Sequence, residues 1–186
     1  CDTFCDSYFE SMSGFTTTGA SIFNDIEALP HGILFWRSMT QWLGGMGIVV
    51  FFVAVLSTIG VGGHKLFSAE APDLTTDKVK PRIAQTAKIL WVIYLSLTAI
   101  LIPLLWLGGM EFFDAVCHAF TTVSTGGFST KNLSIAAYDN LFIEIVIMVF
   151  MFIAACNFIL YYQLVTGRIR KVLVNSELRF FVGLIF

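Results

Sequence analysis

Two short clusters of hydroxyl-bearing residues and glycine hold the chemistry of this chain. Phe15-Thr16-Thr17-Thr18-Gly19-Ala20 and Thr122-Val123-Ser124-Thr125-Gly126-Gly127 match under a shift of 107, which carries Thr18 to Thr125 and Gly19 to Gly126. A cation that leaves water needs its hydration oxygens replaced at close range, and backbone carbonyls from several converging loops can do this. Glycine reaches backbone conformations barred to other residues, so consecutive carbonyls can face one way. Threonine and serine hydroxyls add oxygen ligands, or tie such a loop to the helix that supports it. A helix ending in the cluster points the partly negative end of its dipole there, which again favours a cation. A lone T-x-G or S-T-G is an ordinary turn; two copies in matching surroundings make a pore loop the better reading. The expected ion-binding residues are Thr16, Thr17, Thr18, Gly19 and Ala20, then Val123, Ser124, Thr125, Gly126 and Gly127. Gly19 and Gly126 are expected to serve backbone geometry; Thr17, Thr18, Ser124 and Thr125 are expected to donate carbonyl and hydroxyl oxygen to the metal ion.

The surroundings do match. Asp6 to Phe15 and Glu111 to Thr122 look helical but are only about 15–18 Å long by helical rise, too short to cross a bilayer. Each is expected to enter the membrane and turn back, which is allowed where protein or water covers the broken backbone. Three uncharged stretches are long enough to span: Trp42 to Gly63, Ile89 to Gly109 and Ile145 to Val165, each roughly 30 Å. Pro103 should kink the second by removing a backbone donor. A further apolar run covers Phe180 to Phe186. The repeat unit is therefore span, short helix, hydroxyl-rich turn, span.

Composition agrees. Apolar residues are 56% of the 186 and charged ones 13%, against about 25% charged in a soluble domain. The mean hydropathy is +0.80. A soluble globule, a disordered chain and a disulfide scaffold are poor fits, and a net charge of −2 argues against a nucleic-acid partner. Cys117 and Cys156 lie in or beside apolar runs and read as small hydrophobes. Nine of the eleven Lys and Arg fall in 64–88 or after the third span, leaving Arg37 and Lys131 opposite. The positive-inside rule assigns the basic side to the cytoplasm, so the two short segments enter from an acidic outer face.

Several residues have plainer readings. Gly44, Gly45 and Gly47 serve helix packing more readily than pore approach. Arg37 is expected to snorkel or to pair with an acid near the outer end of its span. His31, His64 and His118 share no metal-ligand spacing and read as solvated or packed. A rival function, an intramembrane serine hydrolase, is suggested by Gly19-Ala20-Ser21. It would need a histidine on a neighbouring span, and none of the three spans has one; under the 107 shift Phe128 stands where Ser21 does. A purely structural membrane subunit is the third reading. Neither alternative explains the paired loops.

The stretch Phe9 to Ser21 (FESMSGFTTTGAS) resembles a pore loop of the Trk/Ktr/HKT potassium transporter superfamily. Phe35 to Ile48 (FWRSMTQWLGGMGI) is similar to the Trk and Ktr membrane subunits. Lys78-Val79-Lys80-Pro81-Arg82-Ile83, then Thr86 to Trp91, and Phe120 to Ser129 (FTTVSTGGFS) are similar again. The resemblance implies an all-α integral membrane fold of repeated span–pore-helix–filter loop–span units, potassium-channel-like, with four repeats around one pore. Residues 1–63 would end the second repeat and 64–88 form a cytoplasmic loop. Residues 89–170 would be the third repeat (span 89–109, pore helix 111–122, filter 122–127, span 145–165), and 171–186 a cytoplasmic link and the start of the fourth. About one and a half of four repeats are present, so a fragment of a larger transporter is expected. The implied function is potassium uptake, with sodium as a second candidate ion, across a bacterial inner membrane, the filter loops facing outside. The metal is potassium as transported ligand at Thr17, Thr18, Ser124 and Thr125, with no covalent cofactor. Implied partners are membrane lipid, the remaining repeats, a second subunit in a homodimer and a cytosolic nucleotide-binding regulatory subunit. Family members carry a Gly/Ser-rich break as a gate in the last helix of the third repeat; here that position reads Phe152 to Phe158 (FIAACNF) without glycine. Asn157 is the candidate there, for pore lining, gating or an interhelical hydrogen bond.

Overall fold

The computed structural model describes residues 3–47, 79–156, 158–165 and 174–185. Regular structure among them is helical throughout. It comprises α1 (Phe4–Phe15), α2 (31–47), α3 (Val79–Leu107), α4 (Phe112–Val123), a 3-10 helix at Ser134–Tyr138, α5 (Leu141–Ala155), α6 (Phe158–Val165) and α7 (Ser176–Ile185).

The two half-length helices are α1 and α4, of 12 residues each, or about 18 Å. At the start of α1, Thr3 and Asp6 form a capping box: each side chain accepts the other's backbone N–H at 3.2 Å. Ile89–Leu107 of α3 has a mean hydropathy of 2.3 and, among the described residues, is the segment long and apolar enough to cross a membrane. Pro103 lies within α3 without ending it. The helix stops instead at Gly108-Gly109: Gly109 has φ +97, its N–H bonds Trp106 at 3.0 Å and Met110 N–H bonds Leu105 at 3.2 Å. That paired pattern is a Schellman motif. Asn140 then joins two helix ends, donating to the Gly108 carbonyl at 2.8 Å and accepting from Phe142 N–H at 2.9 Å to cap α5.

The core is the contact of α4 with α3 and α5. Leu101 and Leu105 of α3, Ala115 and Ala119 of α4, and Ile143 and Ile147 of α5 form one buried cluster. Alanines four apart put a smooth stripe on α4, so the half-helix sits close against its longer neighbours. On the other side α2 is fastened to α3: Tyr94 donates to the Trp42 carbonyl at 3.0 Å, and Trp42 donates to Thr98 at 3.1 Å.

The helix that carries Trp42, the expected start of the first span, begins at 31, with the Pro30 carbonyl accepting from Ile33 and Leu34. Arg37 looks like a residue that should lie outside a span; it is in fact buried and neutralised within the protein (below). Residues 48–63 of that stretch lie outside the described residues. The third span is not one helix. α5 ends at Ala155, Cys156 is extended (φ −70, ψ 147), and α6 resumes at Phe158. No Gly or Pro marks the break. At the break the Ile153 carbonyl accepts from two donors, the Cys156 N–H at 3.2 Å and the Tyr161 hydroxyl. Asn157, the candidate at this place, lies outside the described residues. Beside the break, Phe152 stacks on Phe181 of α7 at 5.4 Å.

Candidate functional site

Both clusters fold alike, in a register one residue longer than the letters suggest. A shift of 108 carries Phe4–Phe15 onto Phe112–Val123. It also carries the hydrogen bonds of one helix end onto those of the other. Thr17 N–H bonds Gly14 and Thr18 N–H bonds Ser13, both at 3.0 Å; Thr125 N–H bonds Thr122 at 3.0 Å and Gly126 N–H bonds Thr121 at 2.8 Å. Each is a Schellman ending whose left-handed position is filled by threonine, Thr17 at φ 55 and Thr125 at φ 54. A β-branched residue there is a genuine outlier, costing about 1–2 kcal/mol. Two residues on, a glycine again has positive φ: Gly19 at +79 and Gly127 at +99. The glycine that answers Gly19 is thus Gly127, while Gly126 answers Thr18 and lies outside the positive-φ region. The 107 match was drawn by identical letters; backbone torsion follows the 108 register.

These turns leave peptide oxygen unused. Among the described residues, no donor bonds the carbonyls of Thr16, Thr17, Thr18 or Gly19, nor those of Thr125, Gly126 or Gly127. The Ala20 carbonyl, by contrast, accepts from Ser13 Oγ at 2.5 Å, and that of Ser124 accepts from Thr125 Oγ1 at 2.7 Å. Val123 ends α4 with its side chain in the core cluster. Several hydroxyls serve the loop itself. Thr16 donates to Met12 at 2.7 Å and sits 2.8 Å from the Thr18 hydroxyl, while Ser124 donates back to Thr121 at 3.2 Å. The two turns also touch. A Cβ added to Gly19 would stand 2.0 Å from the Gly126 carbonyl oxygen, so the backbones meet where neither residue has a side chain.

Behind each turn lies a buried polar peg that the sequence reading did not identify. Glu10 Oε1 accepts from Ser21 Oγ at 3.0 Å and from Arg37 Nε at 2.7 Å, and Oε2 accepts from Ile22 N–H at 3.1 Å. Arg37 also donates to Ser21 at 2.9 Å. The arginine therefore pairs with an acid, one of the two expected readings, but does so at 4% exposure rather than by snorkelling. Under the 108 shift Glu10 and Ser21 become His118 and Ser129. Those two are joined as well: His118 Nε2 is 3.0 Å from Ser129 Oγ, and Nδ1 is 2.8 Å from the Asp114 carbonyl. That second contact requires N–H at Nδ1, so Ser129 donates to Nε2. Ser21 does have a counterpart, then, and His118 is a packed histidine within reach of it. The spacing of eleven from Glu10 to Ser21 and from His118 to Ser129 was the legible signal.

Helix α2 presses on both turns. A Cβ on Gly44 would lie 2.1 Å from the Phe15 carbonyl oxygen, and one on Gly45 would lie 2.9 Å from Ser124 Cβ. These two glycines therefore serve packing and loop approach together. Arg37 lies 4.3 Å from the Phe128 ring centroid and 5.4 Å from that of Phe23, a cation–π contact with each loop. Gln41, also missed, accepts Phe128 N–H at 3.1 Å. Farther along, Asn132 clamps the loops: it accepts from Ile26 N–H at 2.7 Å, donates its side chain to Asp25 at 2.9 Å and its backbone N–H to Glu27 at 3.0 Å. The Asn132 hydrogen bond holds the Asp25 carboxyl below its ordinary pKa.

A model of the TrkH family of cation transport proteins matches residues 2–184. The chain belongs to the TrkH family. It is 48% identical over 186 residues to the Trk system potassium uptake protein TrkH of Escherichia coli strain K12, covering 99% of this chain and 38% of that one. Against the Trk system potassium uptake protein TrkG of the same strain it is 43% identical over 182 residues, 97% of this chain and 38% of the relative. The crystal structure of the potassium transporter TrkH from Vibrio parahaemolyticus superposes with a TM-score of 0.80 at 42% identity, covering 97% of this chain and 36% of that one. The chain thus spans less than two-fifths of these relatives. TrkH relatives are named as potassium uptake transporters, not enzymes, so the hydrolase reading falls. The Ser21 hydroxyl is in any case engaged by Glu10, Arg37 and Phe23 N–H.

Proposed function

We propose that this chain supplies two of the four filter loops of a potassium-uptake pore, with peptide oxygens of Thr16 to Gly19 and of Thr125 to Gly127 replacing water around the ion. The observation that supports this most is the pair of turns in backbone contact, each held in strained torsions that leave consecutive carbonyls without a donor. Strain of this kind persists only when the surroundings over-determine it, and it concentrates at functional sites. The half-helices α1 and α4 add the favourable end of their dipoles. Thr17, Thr18 and Thr125 belong to the metal site chiefly through backbone oxygen, while Ser124, whose carbonyl accepts from Thr125 Oγ1 and whose hydroxyl donates to Thr121, supports the loop. Sodium is the competing ion. The outer, acidic side of a bacterial inner membrane is where the loops would open, and the break at Cys156 is where an intramembrane gate would sit. The end of the second repeat, the third and the start of the fourth of four repeats, a homodimeric partner and a cytosolic nucleotide-binding regulator complete the reading by family membership.

Two glycines of equal strain and different place test it. Gly127 (φ +99) and Gly109 (φ +97) each have nothing within 4 Å of an added Cβ, so alanine at either adds torsional strain without a clash. In the complete transporter, Gly127→Ala should lower K⁺ uptake relative to Na⁺, whereas Gly109→Ala, at the end of α3, should leave the ratio alone. An unchanged ratio in Gly127→Ala at normal membrane levels overturns the proposal.

A further inference from the structure

We infer that Gln41 is a positioning residue for the second loop, and that position 126 must be glycine because the Gln41 amide occupies the space a side chain would need. The inference rests on the reading of 122–127 as a filter loop. Gln41 lies on α2, is 0% exposed, and reaches across 87 residues of sequence to accept Phe128 N–H at 3.1 Å. A Cβ on residue 126 would lie 2.2 Å from Oε1, 2.4 Å from Cδ and 2.8 Å from Nε2 of Gln41. The whole amide head fills that volume. Since Gly126 needs no positive φ, space alone accounts for it, whereas conformation accounts for Gly127. The oxygen is the atom facing Phe128 because a backbone N–H can be met only by an acceptor.

The consequence is a mechanical link. Helix α2 follows the first loop in the chain, yet it holds the second: Gln41 fixes the backbone at Phe128, and Arg37, one turn earlier, covers the Phe128 ring at 4.3 Å. A methyl at 126 must displace the amide, which is fully buried and held through Oε1 while its Nε2 has no hydrogen-bond partner among the described residues, and the Phe128 N–H then loses its acceptor. Removing the amide as well makes room for the methyl.

The test is a double-mutant cycle in the complete transporter, read as the ratio of K⁺ to Na⁺ uptake, from which protein amount cancels. Gln41→Ala is expected to lower the ratio several-fold and Gly126→Ala at least tenfold. The double variant should be no worse than Gln41→Ala alone, because the two substitutions compete for one volume. Gln41→Met keeps the bulk and removes the amide, whose one hydrogen bond is through the oxygen, so it should lower the ratio at undiminished membrane levels, and it carries the test if the alanine variant does not fold. Multiplicative losses in the double variant, or a wild-type ratio in Gln41→Met, would overturn the inference while Gly127→Ala still changes selectivity. If Gly127→Ala is also without effect, the filter reading itself has failed.

Discussion

Replacing Gly19 by alanine attacks the two loops where they meet. The new methyl would stand 2.0 Å from the Gly126 carbonyl oxygen, against 3.4 Å for ordinary contact, so one backbone must retreat by about 1.4 Å. Neither loop gives easily. Thr18 N–H and Gly126 N–H are tied to their half-helices at 3.0 and 2.8 Å, and the Gln41 amide backs Gly126. The φ of +79 adds about 1–2 kcal/mol for any residue with a Cβ. A carbonyl displaced by more than an ångström no longer replaces a hydration oxygen. If one such oxygen is worth as much as a hydrogen bond to a charged group, about 1.5–3 kcal/mol, its loss weakens K⁺ binding roughly 10- to 150-fold. The assay is Rb⁺ tracer uptake by the complete transporter in proteoliposomes, with Na⁺ and K⁺ as competitors. Gly32→Ala, with nothing within 4 Å of its added Cβ, is the control and should behave as wild type. Wild-type discrimination in Gly19→Ala would refute the claim that these loops form one ion site.

Breaking the peg behind the first loop should act on stability. Arg37→Met strands the Glu10 carboxylate at 7% exposure, a loss of about 3–5 kcal/mol visible as a lower melting temperature in detergent; Glu10→Gln with Arg37→Met should recover much of it, and a wild-type melt for Arg37→Met alone contradicts the pairing. Asn132→Ala removes the two side-chain bonds between the loops, leaving the backbone N–H to Glu27, and should raise backbone hydrogen exchange at 24–28; unchanged exchange there would show that the clamp does not order the loop. Because the Asn132 hydrogen bond lowers the Asp25 pKa, that contact adds stability above the ordinary aspartate range and loses it as pH falls through the lowered value, below pH ~3.9. The same variant should therefore shift the Asp25 titration upward in carboxyl NMR, and a fixed titration would contradict the contact.

Much of this arrangement is legible because membrane physics constrains the chain strongly. Half-length helices between longer apolar stretches stand out by length alone, and α1 and α4 lie within two residues of where the pattern puts them. What escapes depends on tertiary partners. Arg37 reads as a span boundary until Glu10 is brought beside it. The break at Cys156 has no Gly or Pro to announce it, and the Tyr161 hydroxyl that bonds the Ile153 carbonyl beside it comes from eight residues away. The register of the two loops is obscured because threonine occupies left-handed positions usually left to glycine, so matching letters favour 107 and matching torsions 108. Gln41 left no signal, since its contact at Phe128 belongs to another part of the chain.

The most direct measurement is the position of a heavy monovalent ion. Crystals of the complete transporter grown in Rb⁺ should show anomalous density within ligand distance of the carbonyl oxygens of Thr16 to Gly19 and of Thr125 to Gly127. Density elsewhere along the pore, with both sets of oxygens bound to protein donors instead, would contradict the account.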